Sequence, residues 1–219
     1  MKPLRVLVFL ACLLPLARLV LLGFTNGLGA NPVEFVQRST GTWTLVLLCL
    51  TLTVTPLRRI SGLNAVIRLR RMLGLYAFFY GSLHLLSYLW FDQWFVWPEI
   101  LADLWRRPFI AAGMAGWLLM LPLALTSSAG MIRRLGRRWS LLHRAVYAVA
   151  ALGVLHYWWH KAGKNDLAEP TVYALVIGLL LGLRLWWRWR SVRGAGLPGR
   201  KAPAGPTAAT QTGSRRSSA

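Results

Sequence analysis

The chain has 219 residues, of which 56% are hydrophobic and only 15% charged, with a mean hydropathy of +0.47. Soluble proteins average about 25% charged residues, so the composition excludes an ordinary soluble globule and indicates an integral membrane protein of one compact domain. The net charge of +20 would suggest nucleic acid in a soluble protein, but no recognition motif accompanies it, and nucleic-acid binding is not expected.

Six apolar segments have about the length a bilayer requires. In chain order they are Leu4–Phe24, Gly41–Leu57, Leu73–Phe91, Phe109–Leu125, Leu142–His160 and Pro170–Trp187. The first follows Lys2 and Arg5 but has no A-x-A cleavage site after it, so it is expected to be a retained helix rather than a signal peptide. The second is short, and Thr51, Thr53 and Thr55 can return their hydroxyls to the helix backbone. The fifth is the least apolar and carries three of the four histidines. From Gly194 to Ala219 the chain is rich in Gly, Pro, Ala, Ser and Thr, which predicts a disordered tail after a domain of residues 1–193. No internal repeat is evident. The expected fold is an all-α membrane protein, a bundle of six transmembrane helices.

The charge is strongly sided. Twenty of the 26 Lys and Arg residues fall at the N-terminus, in the second and fourth loops and in the C-terminal segment, with no acidic residue among them. All six acids, Glu34, Asp92, Glu99, Asp103, Asp166 and Glu169, fall in the other loops. The positive-inside rule then places both termini in the cytoplasm and makes six spans self-consistent. The basic face also suits anionic membrane lipids. Trp90, Trp94, Trp97, Trp105, Trp158 and Trp159 on the outer side, and Trp186, Trp187 and Trp189 on the inner, read as interfacial belts.

An ionisable side chain inside a membrane is expensive and is a functional hypothesis by default. His84, His143 and His156 are such side chains, and histidine is the usual axial ligand of heme iron. His84 lies 11 residues into the third helix and His156 14 residues into the fifth, roughly 16 and 21 Å up at the helical rise. The two can share a level and clamp one iron from opposite faces. His143 sits at the cytoplasmic edge of the fifth helix and could ligate a second heme, but the third helix offers Arg70 and Arg71 at that level rather than a histidine. The heme count, one or two, stays open. His160, one turn beyond His156, reads as an interfacial histidine beside Trp158, Trp159 and Lys161.

Arg70 and Arg71 are either snorkelling anchors or a clamp for heme propionates, a flavin phosphate or a quinone oxygen. Arg18, mid-helix, needs a partner or a propionate. Cys12 and Cys49 form no C-x-x-C or C-x-x-C-H, so a heme would be held non-covalently, as b-type. No P-loop, G-x-S-x-G or intramembrane carboxylate is present, which argues against nucleotide chemistry, acyl transfer and proton-coupled transport.

Asn31-Pro-Val-Glu, Thr55-Pro-Leu, Ile67-Arg-Leu-Arg-Arg-Met-Leu-Gly-Leu75, Leu83-His-Leu-Leu-Ser-Tyr88, Leu125-Thr-Ser, Leu135-Gly-Arg-Arg-Trp-Ser-Leu-Leu-His143 and His156-Tyr-Trp-Trp resemble one family. It comprises the heme-binding membrane subunits of bacterial periplasmic methionine sulfoxide reductase systems (MsrQ, formerly YedZ). The resemblance runs from about residue 25 to 188. It implies a ferric reductase-like transmembrane domain in the bacterial inner membrane, with heme between helices 3 and 5, in agreement with the pairing of His84 and His156. It also implies electron delivery to a periplasmic molybdopterin-containing reductase that repairs oxidised methionine. The quinone pool is the implied donor, a cytosolic flavin reductase an alternative donor, and FMN an associated cofactor. The competing expectation is a stand-alone ferric-chelate reductase or NADPH oxidase-like oxidoreductase, which the chain disfavours because it carries no nucleotide-binding segment.

Overall fold

The structure, a computed structural model, describes residues 2–195, and these are almost entirely helical. The predicted tail lies outside the described residues except for Gly194 and Ala195. Residues 1–184 form one compact unit, and a second begins at Leu185.

The helices are α1 (Lys2–Phe24), α2 (Pro32–Ser61), α3 (Leu69–Ser87), α4 (Trp97–Arg106), α5 (Pro108–Leu125), α6 (Ala129–Leu135), α7 (Arg137–Leu142), α8 (Val146–Ala162) and α9 (Ala168–Ala195). Among the described residues five long stretches, those of α1, α2, α3, α5 and α9, are long and apolar enough to cross a membrane. The predicted fifth span corresponds to α8, of 17 residues, continued backwards by a 3₁₀ turn at His143–Ala145 into α7. The chain is a multi-pass membrane protein. Its apolar side chains face outward as well as inward, with Leu7 65% and Leu14 66% exposed on α1, as lipid contact requires.

Local sequence explains the ends of these helices. Asn31 caps α2 by accepting from the Glu34 backbone N–H, with Pro32 at the first helical position, where its missing N–H costs nothing. The polar residues Glu34, Gln37 and Arg38 lower the hydropathy of this first stretch, so the expected start at Gly41 is nine residues late. At the other end Gly62 adopts φ 70°, and its N–H returns to the Arg58 carbonyl, a left-handed stop that favours glycine. α3 runs on through a π turn at Tyr88–Asp92. α9 continues eight residues beyond the expected Trp187. α4 was not expected; it is short and ends beside Asp103, which is buried and accepts from Tyr88 Oη and Gln93 Nε2 at 3.0 and 2.7 Å.

The core lies where α2, α3 and α8 meet, around Leu47, Leu52, Ala77, Tyr80, Val149 and Ala150. Pro15 interrupts α1, and Tyr80 of α3 reaches the weakened turn. Its hydroxyl donates to the Cys12 carbonyl at 2.8 Å and accepts from the Leu16 N–H at 3.1 Å. These are the two groups that would otherwise close one helical turn.

α2 packs chiefly on α3, and α5 chiefly on α8. These two hairpins repeat each other. A shift of 72 residues superposes Gly41 on Gly113, Gly81 on Gly153, Leu83 on Leu155 and His84 on His156. The expectation of no internal repeat is therefore corrected: the matches are too widely spaced to read as a repeat until the packing pairs the helices. Of the second unit, the end of α9 shows the Arg190 guanidinium 4.4 Å from the Trp186 ring centre and Arg193 3.5 Å from that of Trp189.

Candidate functional site

His84 on α3 and His156 on α8 meet inside the bundle, as the depth estimate predicts. Their ring centroids are 5.9 Å apart with an interplanar angle of 81°. A metal–imidazole bond of about 2 Å, plus about 1.15 Å from ring nitrogen to ring centre, would place two imidazoles on opposite sides of one metal about 6.3 Å apart. The pair stands within about 0.4 Å of that separation.

Each ring is held the same way. His84 Nδ1 donates to the Gln37 carbonyl of α2 at 3.0 Å. His156 Nδ1 donates to the Phe109 carbonyl of α5 at 2.6 Å. A backbone carbonyl can only accept, so both neutral rings carry their proton on Nδ1 and present Nε2 as a lone pair. Metal-binding histidines are typically oriented by such a partner, which fixes the tautomer and raises basicity.

Four residues beyond each carbonyl, on the same helix face, a glycine makes room for the ring. A Cβ on Gly41 would lie 3.2 Å from His84 Nδ1 and Cε1, and one on Gly113 only 2.7 Å from His156 Nδ1. Neither glycine nor either carbonyl residue was singled out from the sequence. A carbonyl leaves no residue-type signature, but the shift of 72 that aligns the histidines aligns the glycines too.

The pair lines a cavity of about 570 Å³ between α2, α3, α5 and α8, within the usual range of ligand sites, about 300–1,000 Å³. Its apolar wall includes Leu45, Leu48, Met120 and Val149, and its rim carries Glu34, Arg38, Asp92, Arg107 and Lys164. Among the lining residues Lys164 pairs with Glu34 at 3.5 Å and Lys161 with Asp166 at 2.5 Å, while Arg107 and Arg38 reach outside the lining to Asp103 at 3.5 Å and Glu169 at 3.6 Å. His160 is exposed at this rim, its ring 5.3 Å from that of Phe109. It thus borders the cavity as well as the interface expected for it.

No group of three or more His, Cys, Asp or Glu side chains able to hold a metal ion occurs among the described residues. Two opposed imidazoles alone suit a metal that brings its own equatorial ligands, as a porphyrin does. Paired lone pairs, their spacing and the glycine-lined slots all fit that group. The porphyrin would supply one-electron redox chemistry at its iron.

His143 stands apart from the pair. Its ring stacks on Trp139 with centroids 4.0 Å apart, and its Nε2 lies 3.1 Å from Thr126 Oγ1. Thr126 spends its own hydroxyl proton on the Pro122 carbonyl at 2.6 Å, so it accepts from His143 Nε2–H. Trp139 Nε1 donates to the Thr126 carbonyl at 3.0 Å. The motifs Leu125-Thr-Ser and Leu135 to His143 therefore clasp each other at the end of α5. Arg70, half-buried, is within electrostatic reach of His143, whereas Arg71 is exposed. Arg18 is exposed, with its guanidinium 5.8 Å from the Phe35 ring centre.

The family of ferric reductase like transmembrane components matches residues 6–154. A Ralstonia nicotianae protein, named protein-methionine-sulfoxide reductase heme-binding subunit MsrQ, is 56% identical over 93% of this chain and 94% of its own length. Proteins of the same name from Herminiimonas arsenicoxydans and Azospira oryzae are 54% and 52% identical, over 84% and 87% of this chain and 85% and 82% of their own lengths. No solved structure matches the chain.

Proposed function

Because the chain belongs to the ferric reductase like transmembrane components, and within them to the heme-binding subunits of protein-methionine-sulfoxide reductase, we propose that it is a heme b electron conduit of the bacterial inner membrane. The observation that carries this is the His84–His156 pair, with Nδ1 of each ring spent on a backbone carbonyl. In this proposal His84 and His156 would hold one heme through their Nε2 atoms.

The chain's own work is orientation and exclusion. Gln37 and Phe109 lock the two imidazoles in one tautomer, and Gly41 and Gly113 let them sit against neighbouring backbones. The apolar wall lowers the polarity beside the two rings and would tune the potential of a bound heme. His143 with Arg70 marks the inner position where a second heme would sit in the two-heme alternative. An FMN phosphate, if the family's flavin binds here, would meet Arg70 or Arg71.

The charge asymmetry supports cytoplasmic termini, so the cavity opens to the periplasm and the second unit carries the predicted cytoplasmic tail. Electrons then pass from membrane quinol, or from a cytosolic flavin reductase, to a periplasmic molybdopterin-containing reductase that restores oxidised methionine. Anionic lipids contact the basic face.

The test is reconstitution. Dithionite-reduced protein should reoxidise when the periplasmic subunit and methionine sulfoxide are added together, and not with either alone. Reduction of ferric chelates at the same rate without that subunit would favour the stand-alone ferric reductase instead.

A further inference from the structure

Arg184 is a charge inside a membrane-spanning helix. It lies 16 residues from the acid-bearing end of α9, roughly 24 Å at the helical rise, hence in the basic third of a hydrocarbon core of about 30 Å. Its Nη2 donates to the Leu52 carbonyl of α2. That carbonyl is free because Pro56, four residues on, has no N–H to give it. The guanidinium carbon stands 5.3 Å from the Tyr147 ring centre.

One donor is thereby explained, and the Tyr147 side chain also interacts with the guanidinium. Arg184 Nε and Nη1 are still buried without a direct hydrogen-bond partner among the described residues. So is Thr55 Oγ1, which lies one turn from Leu52 on the same helix face. Thr40, Thr44, Thr51 and Thr53 return their hydroxyls to the carbonyl four residues earlier. Thr55 does not, contrary to the expectation from sequence. Arg70 is within electrostatic reach of Arg184, which adds a like charge. All six acids of the chain belong to the opposite end. Buried polar groups in native proteins are paired, and buried charges even more so.

We infer that Arg184 and Thr55, with Arg70 beside them, bind an anionic oxygen, carboxylate or phosphate, borne by a group the chain does not encode. Two sources fit this chemistry. One is the propionate of a second heme seated on the His143 side, which rests on the two-heme form of the function proposed above. The other is the phosphate of an anionic lipid, which does not.

The test uses full-length protein in nanodiscs of phosphatidylcholine doped with phosphatidylglycerol, with the variants R184Q and T55V. The readouts are a redox titration, heme per chain and native mass spectrometry of retained lipid. If the source is a propionate, R184Q lowers the midpoint of one heme, because removing a positive charge disfavours the reduced iron, and T55V shifts it the same way. If the source is a lipid, R184Q lowers retained phosphatidylglycerol about tenfold, the loss expected from one charge-assisted hydrogen bond, and the potential does not move. Should R184Q fail to fold, T55V still decides. Removing an unpaired buried hydroxyl from an empty site is neutral or stabilising, whereas removing a ligand donor costs retention. T55V at least as stable as wild type, with potential, heme content and lipid unchanged, overturns the inference. A wild-type protein without heme would sink the proposed function yet leave the lipid readout intact.

Discussion

Gly113→Ala probes the slot that holds His156. The new Cβ would lie 2.7 Å from Nδ1, 3.0 Å from Cε1 and 3.4 Å from Cγ of the imidazole, against an ordinary contact of 3.4 Å or more. The ring must therefore retreat by about 0.7 Å, in an interior packed like a crystal. That motion stretches the 2.6 Å hydrogen bond to the Phe109 carbonyl. Overpacking of this kind costs about 1–3 kcal/mol, while alanine in a helix interior returns roughly 0.5–1 kcal/mol relative to glycine. The balance is a destabilisation of up to about 2.5 kcal/mol and a displaced imidazole. Gly41→Ala meets His84 at 3.2 Å, needs a shift of only about 0.2 Å, and should come out near neutral. Gly178→Ala, with nothing within 4 Å, should gain the helix term alone. Thermal unfolding read by size-exclusion chromatography, with heme content and the reduced spectrum of each variant, gives the comparison. If G113A were as stabilised as G178A and kept its full heme spectrum, the imidazole would not occupy that slot, and the argument from glycine spacing would fail.

Tyr80→Phe removes the hydroxyl that bridges Cys12 and Leu16 in α1, and leaves those two groups to close their own turn beside Pro15. It should cost about 0.5–1.5 kcal/mol, seen as a lower unfolding temperature with the heme spectrum unchanged. His143→Ala breaks the clasp to Thr126 and the stack on Trp139, so it should destabilise by about 1–2 kcal/mol while the heme at His84 and His156 persists. The Lys161 ammonium, hydrogen-bonded to Asp166, holds that carboxyl below its ordinary value of 3.8. A depressed folded-state pKa means the contribution is present above the unfolded value and lost as pH falls through the folded one. Acidification below pH 3.8 should thus cost the wild type a share of stability that Asp166→Asn has already lost, which unfolding across a pH series would show.

What could be read from the sequence was what hydropathy and charge encode. The fourth predicted span, Phe109–Leu125, begins one residue inside the observed helix, because Pro108 and Thr126 punctuate a uniform apolar run. α2 was drawn short because Glu34, Gln37 and Arg38 interrupt the apolar signal, although Asn31-Pro-Val-Glu34 already spelled a helix start. The meeting of His84 and His156 followed from counting rise along two helices. The carbonyls that orient them could not be read, since every residue offers the same group. Charge patterning groups Arg184 with the basic C-terminal segment, and only packing shows that it answers the proline gap in α2. His143 carried a ligand expectation that depth alone could not separate from a helix clasp.

The most direct test of the account is the dithionite-reduced minus oxidised spectrum, with heme quantified per chain, for wild type, H84A, H156A and H143A. The account predicts sharp low-spin b-type bands in wild type, their loss from the outer heme in both H84A and H156A, and their survival in H143A. Normal low-spin heme in either H84A or H156A would contradict it.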